Sequence, residues 1–283
     1  MASPTLLALD LDGTLICRDG SIHPDDLAAV AAVRDQGVGV SIVTGRLYSG
    51  VRAVAEQLGI TTPVVCSDGA EIVDPLTHEV RVHRRIRGAA ALALRDLLAA
   101  HELALFLMAD DQIAYDGRGR PLARYVRNWT PELRRVRSVL GLPAWNDEHG
   151  ISALVAVGTG RTVQPVYELL GADERYAVDS FDIRRAPGAQ YDGEPLRGLL
   201  VHTAGVNKGR ALRDLAADQG VDMEQVVAVG DWINDIPMLR AAGRSFAMGH
   251  AEPAVAAAAT DQLEAAGWSG GGVAEAVAKV WGC

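Results

Sequence analysis

With 283 residues, 49% of them hydrophobic and 22% charged, the chain suits one large or two smaller globular domains and excludes wholesale disorder. A net charge of −9 argues against a general nucleic-acid or anionic-membrane binder, although a bound metal ion could reverse the sign locally for a small anionic substrate. No apolar run is long enough to span a bilayer, Met1-Ala2-Ser3-Pro4 lacks a signal-peptide pattern, and Cys17, Cys66 and Cys283 are too widely spaced for a disulfide framework or a zinc site; a reduced, cytoplasmic protein is expected.

The first stretch alternates strand and helix signals. An apolar strand ends at Asp10 and a loop runs through Ile22. A helix follows over Pro24–Asp35, with Leu27, Val30, Ala31 and Arg34 at helical spacing. Gly37 closes it, and Val38–Val43 reads as a second strand ending on Thr44-Gly45-Arg46. A helix over Ser49–Leu58 precedes a third strand, Pro63–Cys66, which closes on Ser67-Asp68-Gly69. Strands joined by helices of this length predict right-handed crossovers and a doubly wound parallel α/β sheet of Rossmann-like kind. After about residue 83 the pattern changes. A helix over Gly88–His101 leads to strands at Ala104–Met108 and Gln112–Tyr115 and to an Arg-rich polar stretch, 118–137. A strand at Ile151–Val157, a helix at Arg161–Leu170 and strands near Tyr176–Asp182 and Leu199–His202 complete an α+β module. From Lys208 the alternation returns, with helices at Lys208–Gln219 and Ile236–Ala242, strands at Gln225–Val229 and Ser245–Met248, and a last helix at Gly270–Val280. The expectation is one core built from 1–83 and 203–283, interrupted by an inserted module over 84–202.

In doubly wound sheets, ligands bind beyond the carboxyl ends of the strands. Four polar clusters fall there: Asp10 with Asp12, Thr44-Gly45, Lys208 at a helix start, and Asp231 with Asn234 and Asp235. A carboxylate pair at the end of a buried strand is costly unless a cation or a reacting group neutralises it. Carboxylates without His or Cys favour a hard, oxygen-loving cation, Mg2+ ahead of others. Lysine, a threonine hydroxyl and backbone N–H groups are phosphate ligands. Carboxylates to hold a metal, metal and lysine to hold phosphate, and one aspartate left as nucleophile together describe a covalent phosphoryl-transfer site. Each cluster alone is commonplace; their joint occurrence in this order is not.

Asp10-Leu11-Asp12-Gly13-Thr14, Thr44-Gly45-Arg46, Lys208-Gly209 and Gly230-Asp231-Trp232-Ile233-Asn234-Asp235 resemble the four motifs of the haloacid dehalogenase superfamily of phosphohydrolases. The insertion, together with Ala247-Met248-Gly249 and Gly271-Gly272-Val273-Ala274, resembles the Cof-type members with an α/β cap of type IIB. The resemblance implies that Asp10 attacks phosphorus to form an aspartyl-phosphate, and that Asp12 protonates the leaving oxygen and then deprotonates the hydrolytic water. It implies Mg2+ held by Asp10, the Asp12 backbone carbonyl and Asp231, with Asp235 direct or through water. Thr44 and Lys208 would bind the phosphoryl oxygens, with Gly45 and Asn234 supporting. Dehalogenation is disfavoured, because a halide leaves without the proton that Asp12 carries.

The expected activity is a Mg2+-dependent phosphatase of small phosphorylated metabolites, sugar phosphates ahead of nucleotides, with the cap choosing the leaving group. Transfer to a second sugar hydroxyl, as in a phosphomutase or phosphotransferase, stays open. A phospho-aspartate receiver fits less well, because the acidic pair is on the first strand and the chain is about twice such a module's length. Three positions depart from the pattern: Asp68 where Asn is usual, Trp232 where a smaller residue is frequent, and His250 in place of a frequent Asn. Asp68 and Trp232, with Arg46, are candidates for the substrate rim. His78, His83, His101 and His149 show no metal-ligand spacing, and the Arg-rich stretch reads as a solvated face. Oligomeric state is not legible.

Overall fold

The computed structural model describes residues 3–146, 148, 150–183 and 194–283, so Met1, Ala2 and His149 lie outside the described residues. The fold is α/β. The strand Leu6–Leu9 is buried along its whole length and pairs in parallel with Val226–Gly230 on one side and Gly39–Ile42 on the other. Such a central strand has both faces covered, which explains why it reads as an unbroken apolar run rather than an alternation. Arg244–Ala247 and Asp261–Gln262 extend the sheet to five parallel strands, Leu6–Leu9 lying between Val226–Gly230 and Gly39–Ile42. The registers Leu9↔Val229 and Leu9↔Ile42 bring the three carboxyl ends level. Asp10, Thr44 and Asp231 therefore leave the sheet at one edge.

Local signals fix the first crossover helix. Pro24–Asp35 opens on proline with Asp25 and Asp26 in its first turn, and His23 Nδ1 accepts from the Asp25 amide at 3.3 Å. Gly37, at φ 80°, turns the chain away after it. The buried Asp26 also reaches the other end of the chain. Its two carboxylate oxygens accept from the amides of Gly271 and Ala274, each at 2.8 Å, and so satisfy the start of the helix Gly272–Trp281.

Two expectations need correction. Pro63–Cys66 is not a full member of the parallel sheet. Val64–Cys66 touches it through one bridge, Val43↔Val65, and pairs antiparallel with Glu71–Val73 in a separate three-stranded sheet completed by Val80–His83. Strands of three and four residues leave too little periodicity to be seen in sequence. The helix expected over Ser49–Leu58 is shorter, Arg52–Gln57, and is preceded by a single 3₁₀ turn at Tyr48–Gly50. Tertiary contacts override helical propensity there: the Leu47 amide donates to Trp129 O at 3.0 Å, and Ser49 donates from its amide to Asp111 Oδ1 at 2.9 Å. A side chain at Gly50 would press into the Trp129 carbonyl.

The chain divides into two compact units. One comprises Met1–Gly45, Arg52–Val82 and Asn207–Cys283; the other comprises Arg46–Val51 and His83–Val206. The second is α+β, with a six-stranded sheet in the order Tyr176–Asp182, Leu196–Thr203, Ala153–Thr159, Ala104–Ala109, Gln112–Tyr115, Leu133–Arg135. All its pairs are antiparallel except the last, whose edge strand falls within the Arg-rich stretch that gave no strand signal. Ala104–Ala109 and Gln112–Tyr115 are joined through Asp110-Asp111, both at positive φ, as a two-residue hairpin requires. Helices Ala89–Ala99 and Gly160–Gly171 cover one face through Leu94, Leu98, Val163 and Val166; Phe106, Ile113 and Val155 contribute to a second core. Arg118, Arg120, Arg124, Arg127, Arg134, Arg135 and Arg137 are all exposed. No helix among the described residues is long and apolar enough to cross a membrane.

Candidate active site

Carboxylate oxygens of Asp10, Asp231 and Asp235 lie within 4.8 Å of one another, and all three residues are buried. Asp10 and Asp231 arrive from adjacent strand ends, and Asp235 from the turn that follows Asp231. Lys208, the first residue of helix Lys208–Asp218, lies among them. Its Nζ donates to Asp10 Oδ1 at 2.7 Å and to Asp235 Oδ1 at 2.6 Å. Gly209 lets that helix start sit close to the next one, since a Cβ there would be 2.3 Å from Pro237 O. Asp235 shapes its own turn: Oδ2 accepts from the amides of Asp231 and Trp232, both at 2.9 Å. The Asp12 side chain is exposed and stands outside the three-carboxylate group.

Asp231 has two further partners. Thr14 Oγ1 donates to its Oδ1 at 3.2 Å, and His250 Nε2 lies 3.1 Å from its Oδ2. Gly13, at φ +93°, is packed so tightly here that a Cβ would fall 2.4 Å from Asp231 Oδ2. The sequence alone assigns Thr14 no role and marks His250 only as a departure from the family pattern. The signals available were the threonine inside the first motif and a histidine at an unusual place.

Thr44 is buried beside this edge, and Gly45 packs against Asp68, whose Oδ2 would lie 3.1 Å from a Cβ at position 45. Asp68 is itself buried, at φ 53°, and its Oδ1 accepts from Asn234 Nδ2 at 2.8 Å. Trp232 is half exposed. Arg46 groups with the second unit, where its Nη1 donates to Gly50 O at 3.3 Å.

The electrostatics follow from burial. Desolvation pushes the Asp10 carboxyl well above the ordinary carboxylate range; Lys208 opposes this, and Asp235 and Asp231 add to it. Burial likewise raises Asp235 against the pull of Lys208. Burial disfavours the charge on Lys208, but Asp10, Asp235 and Asp68 outweigh it and hold the ammonium protonated, above its usual range. Three carboxylates thus gather around one lysine that bonds two of them. The surplus is negative, every donor atom in the group is a carboxylate oxygen, and a hard divalent cation fits that set.

Residues 7–138 and 197–277 match the family model for haloacid dehalogenase-like hydrolases. The chain belongs to this family. A pyridoxal phosphate phosphatase of Escherichia coli K12, YbhA, is 29% identical over 259 residues, covering 90% of this chain and 91% of that protein. Among solved structures, a haloacid dehalogenase-like hydrolase from Bacteroides thetaiotaomicron superposes with a TM-score of 0.81 at 21% identity, covering 99% of this chain and 100% of that one. A subclass IIB sugar phosphatase, BT4131, superposes with a TM-score of 0.77 at 19% identity, covering 98% and 99%. The chain is therefore a haloacid dehalogenase-type phosphoric monoester hydrolase of the Cof kind, a family that uses a divalent metal ion.

Proposed function

We propose that this hydrolase is a Mg2+-dependent phosphatase of small phosphorylated metabolites, sugar phosphates ahead of nucleotides, and that it acts in the cytoplasm through an aspartyl-phosphate on Asp10. The observation that carries the reading is the buried group of Asp10, Asp231 and Asp235 with Lys208 donating to two of them. A carboxylate oxygen of Asp10 attacks phosphorus while the ester P–O bond breaks, and Asp12 gives its proton to the departing oxygen. Asp12 then takes a proton from the water that attacks the aspartyl-phosphate; inorganic phosphate leaves and the Asp10 carboxylate is restored. The exposure of Asp12 suits a proton carrier facing the leaving group. Lys208 and Thr44 bind the phosphoryl oxygens, with Gly45 and Asn234 shaping their surroundings. Asp10, Asp231, Asp235 and the Asp12 carbonyl would hold Mg2+, which supplies neutralisation of charge on the transferring group.

Residues 84–202 serve in this reading as the cap that selects the leaving group. Asp68 and Trp232 line the substrate entrance in this reading and favour a hydroxyl-rich or cationic leaving group. The pyridoxal phosphate specificity named for the Escherichia coli relative puts that ester on the test panel beside hexose phosphates and nucleotides. Inorganic phosphate release is measured with and without Mg2+, next to an Asp10→Asn control. Metal-dependent release by the wild type and none by the variant is expected; a protein inert on every ester with Mg2+ overturns the function. Full activity of Asp10→Asn overturns the mechanism. An unchanged substrate profile in Asp68→Asn removes that residue from selectivity.

A further inference from the structure

We propose that His250 is a positioning residue for Asp231, fixing the orientation of that carboxylate before a cation binds. The inference rests on the Mg2+ reading above. The Gly267 amide donates to His250 Nδ1 at 3.0 Å. An imidazole that accepts at Nδ1 carries its proton on Nε2, and Nε2 faces Asp231 Oδ2 at 3.1 Å. The histidine is therefore a donor to Oδ2, while Thr14 Oγ1 donates to Oδ1 at 3.2 Å. With one donor on each oxygen, the carboxylate cannot turn about its Cβ–Cγ bond without losing both bonds. Each oxygen still keeps a lone pair for another partner.

The donor is itself held in place. The His250 ring packs on Trp268, with centroids 4.6 Å apart, and the Arg18 guanidinium sits 4.8 Å from the centroid of Trp268. The Gly267 amide cannot drift, because its backbone is wedged against the first-motif loop: a Cβ at 267 would fall 1.7 Å from Gly13 O. Gly13 in turn abuts Asp231 Oδ2. Two loops from opposite ends of the chain thus lock one side chain, and a ring is needed at position 250 to use the Trp268 face. An asparagine there would offer a donor without the ring.

The test measures Mg2+ binding by calorimetry on the full chain, with melting temperature in EDTA and kcat and KM at graded Mg2+ beside it. His250→Phe keeps the ring, removes the donor to Asp231 and leaves the Gly267 amide without its acceptor. It is expected to weaken Mg2+ affinity about 10-fold or more, the usual effect of losing a partner of a metal ligand. Its melting temperature in EDTA falls only by the modest cost of the unpaired Gly267 amide, and its turnover recovers as Mg2+ is raised. His250→Asn is expected to regain part of the affinity, and Trp268→Ala to lose a smaller part through a loosened ring. Unchanged Mg2+ affinity in His250→Phe overturns the proposal, as does a lowered melting temperature in EDTA with no change in affinity. If that variant does not fold, unchanged affinity in both His250→Asn and Trp268→Ala overturns it. Absence of Mg2+ binding by the wild type is a separate result: it overturns the cation reading and this inference with it.

Discussion

Lys208 Nζ donates to Asp10 Oδ1 at 2.7 Å, joining residues 198 positions apart in a setting where the lysine is 1% exposed. A buried ammonium of this kind is held by its carboxylates, and they are held by it. Removing one partner of such a pair costs about 3–5 kcal/mol, because the other charge is left buried and alone. Lys208→Met should therefore unfold at markedly lower denaturant in EDTA, and lose on the order of 10²–10³ in turnover as a charge-stabilising donor is removed. Added Mg2+ should recover stability but not rate. Urea denaturation beside steady-state kinetics separates the two. A variant as stable as wild type without metal would refute the pairing argument.

Asp10→Asn leaves Lys208 its other carboxylate partner, Asp235, so no charge is left buried alone. The variant should behave in the opposite way in the absence of a cation. Burial raises the Asp10 carboxyl, so its charged form is disfavoured in the folded protein relative to the ordinary value of 3.8. A carboxyl raised on folding contributes stability below 3.8 that is lost as pH rises through its folded value. The amide variant escapes that loss. Its melting temperature in EDTA should match wild type in acid and exceed it at neutral pH, while phosphatase activity disappears. Calorimetry across pH checks this; a gap that shrinks as pH rises would contradict it.

Asp74 supplies the reverse sign. Burial works against its charge, but the Leu76 and Thr77 amides and the Arg81 guanidinium prevail and hold it below 3.8. A depressed carboxyl contributes stability above its unfolded value and loses it as pH falls through the folded one. Wild type should then be more stable than Asp74→Asn at neutral pH, with the gap closing as pH falls below the ordinary carboxylate value of 3.8. Stability differences independent of pH would show that the ion pair is not the cause.

Asp26 ties the first crossover helix to the last helix of the chain. Asp26→Ala leaves the Gly271 and Ala274 amides without their acceptor, and losing such a cap costs about 0.5–2 kcal/mol. Hydrogen exchange should quicken first in Gly272–Trp281, with activity nearly intact. Protection unchanged in that helix would mean its start is held by something other than the aspartate.

Much of the parallel core was legible in sequence because its signals are local. The helix Pro24–Asp35 is announced by a proline, two acids and a following glycine, and its boundaries in the structure are the expected ones. Strands buried on both faces announce themselves as apolar runs closing on polar residues. The residues brought to one edge (Asp10, Thr44, Lys208, Asp231 and Asp235) were legible because the doubly wound topology dictates where strand ends meet. What stayed illegible depends on contacts distant in sequence. Glu71–Val73 and Val80–His83 are too short to carry periodicity, and Leu133–Arg135 is a strand only through its pairing with Gln112–Tyr115. The residues around Gly50 forgo helix because Trp129 and Asp111 claim their backbone.

The sequence by itself determined the α/β class, the order of elements and the set of acids gathered at the strand ends, since hydrophobic periodicity and turn residues act over a few positions. Only the tertiary structure decided how those acids are held. That Lys208 bridges Asp10 and Asp235, that Asp68 engages Asn234, and that His250 and Thr14 grip the two oxygens of Asp231 follow from backbones packed to glycine-only distances. Contacts at that range are set by the summed packing of remote segments, and no local pattern encodes them.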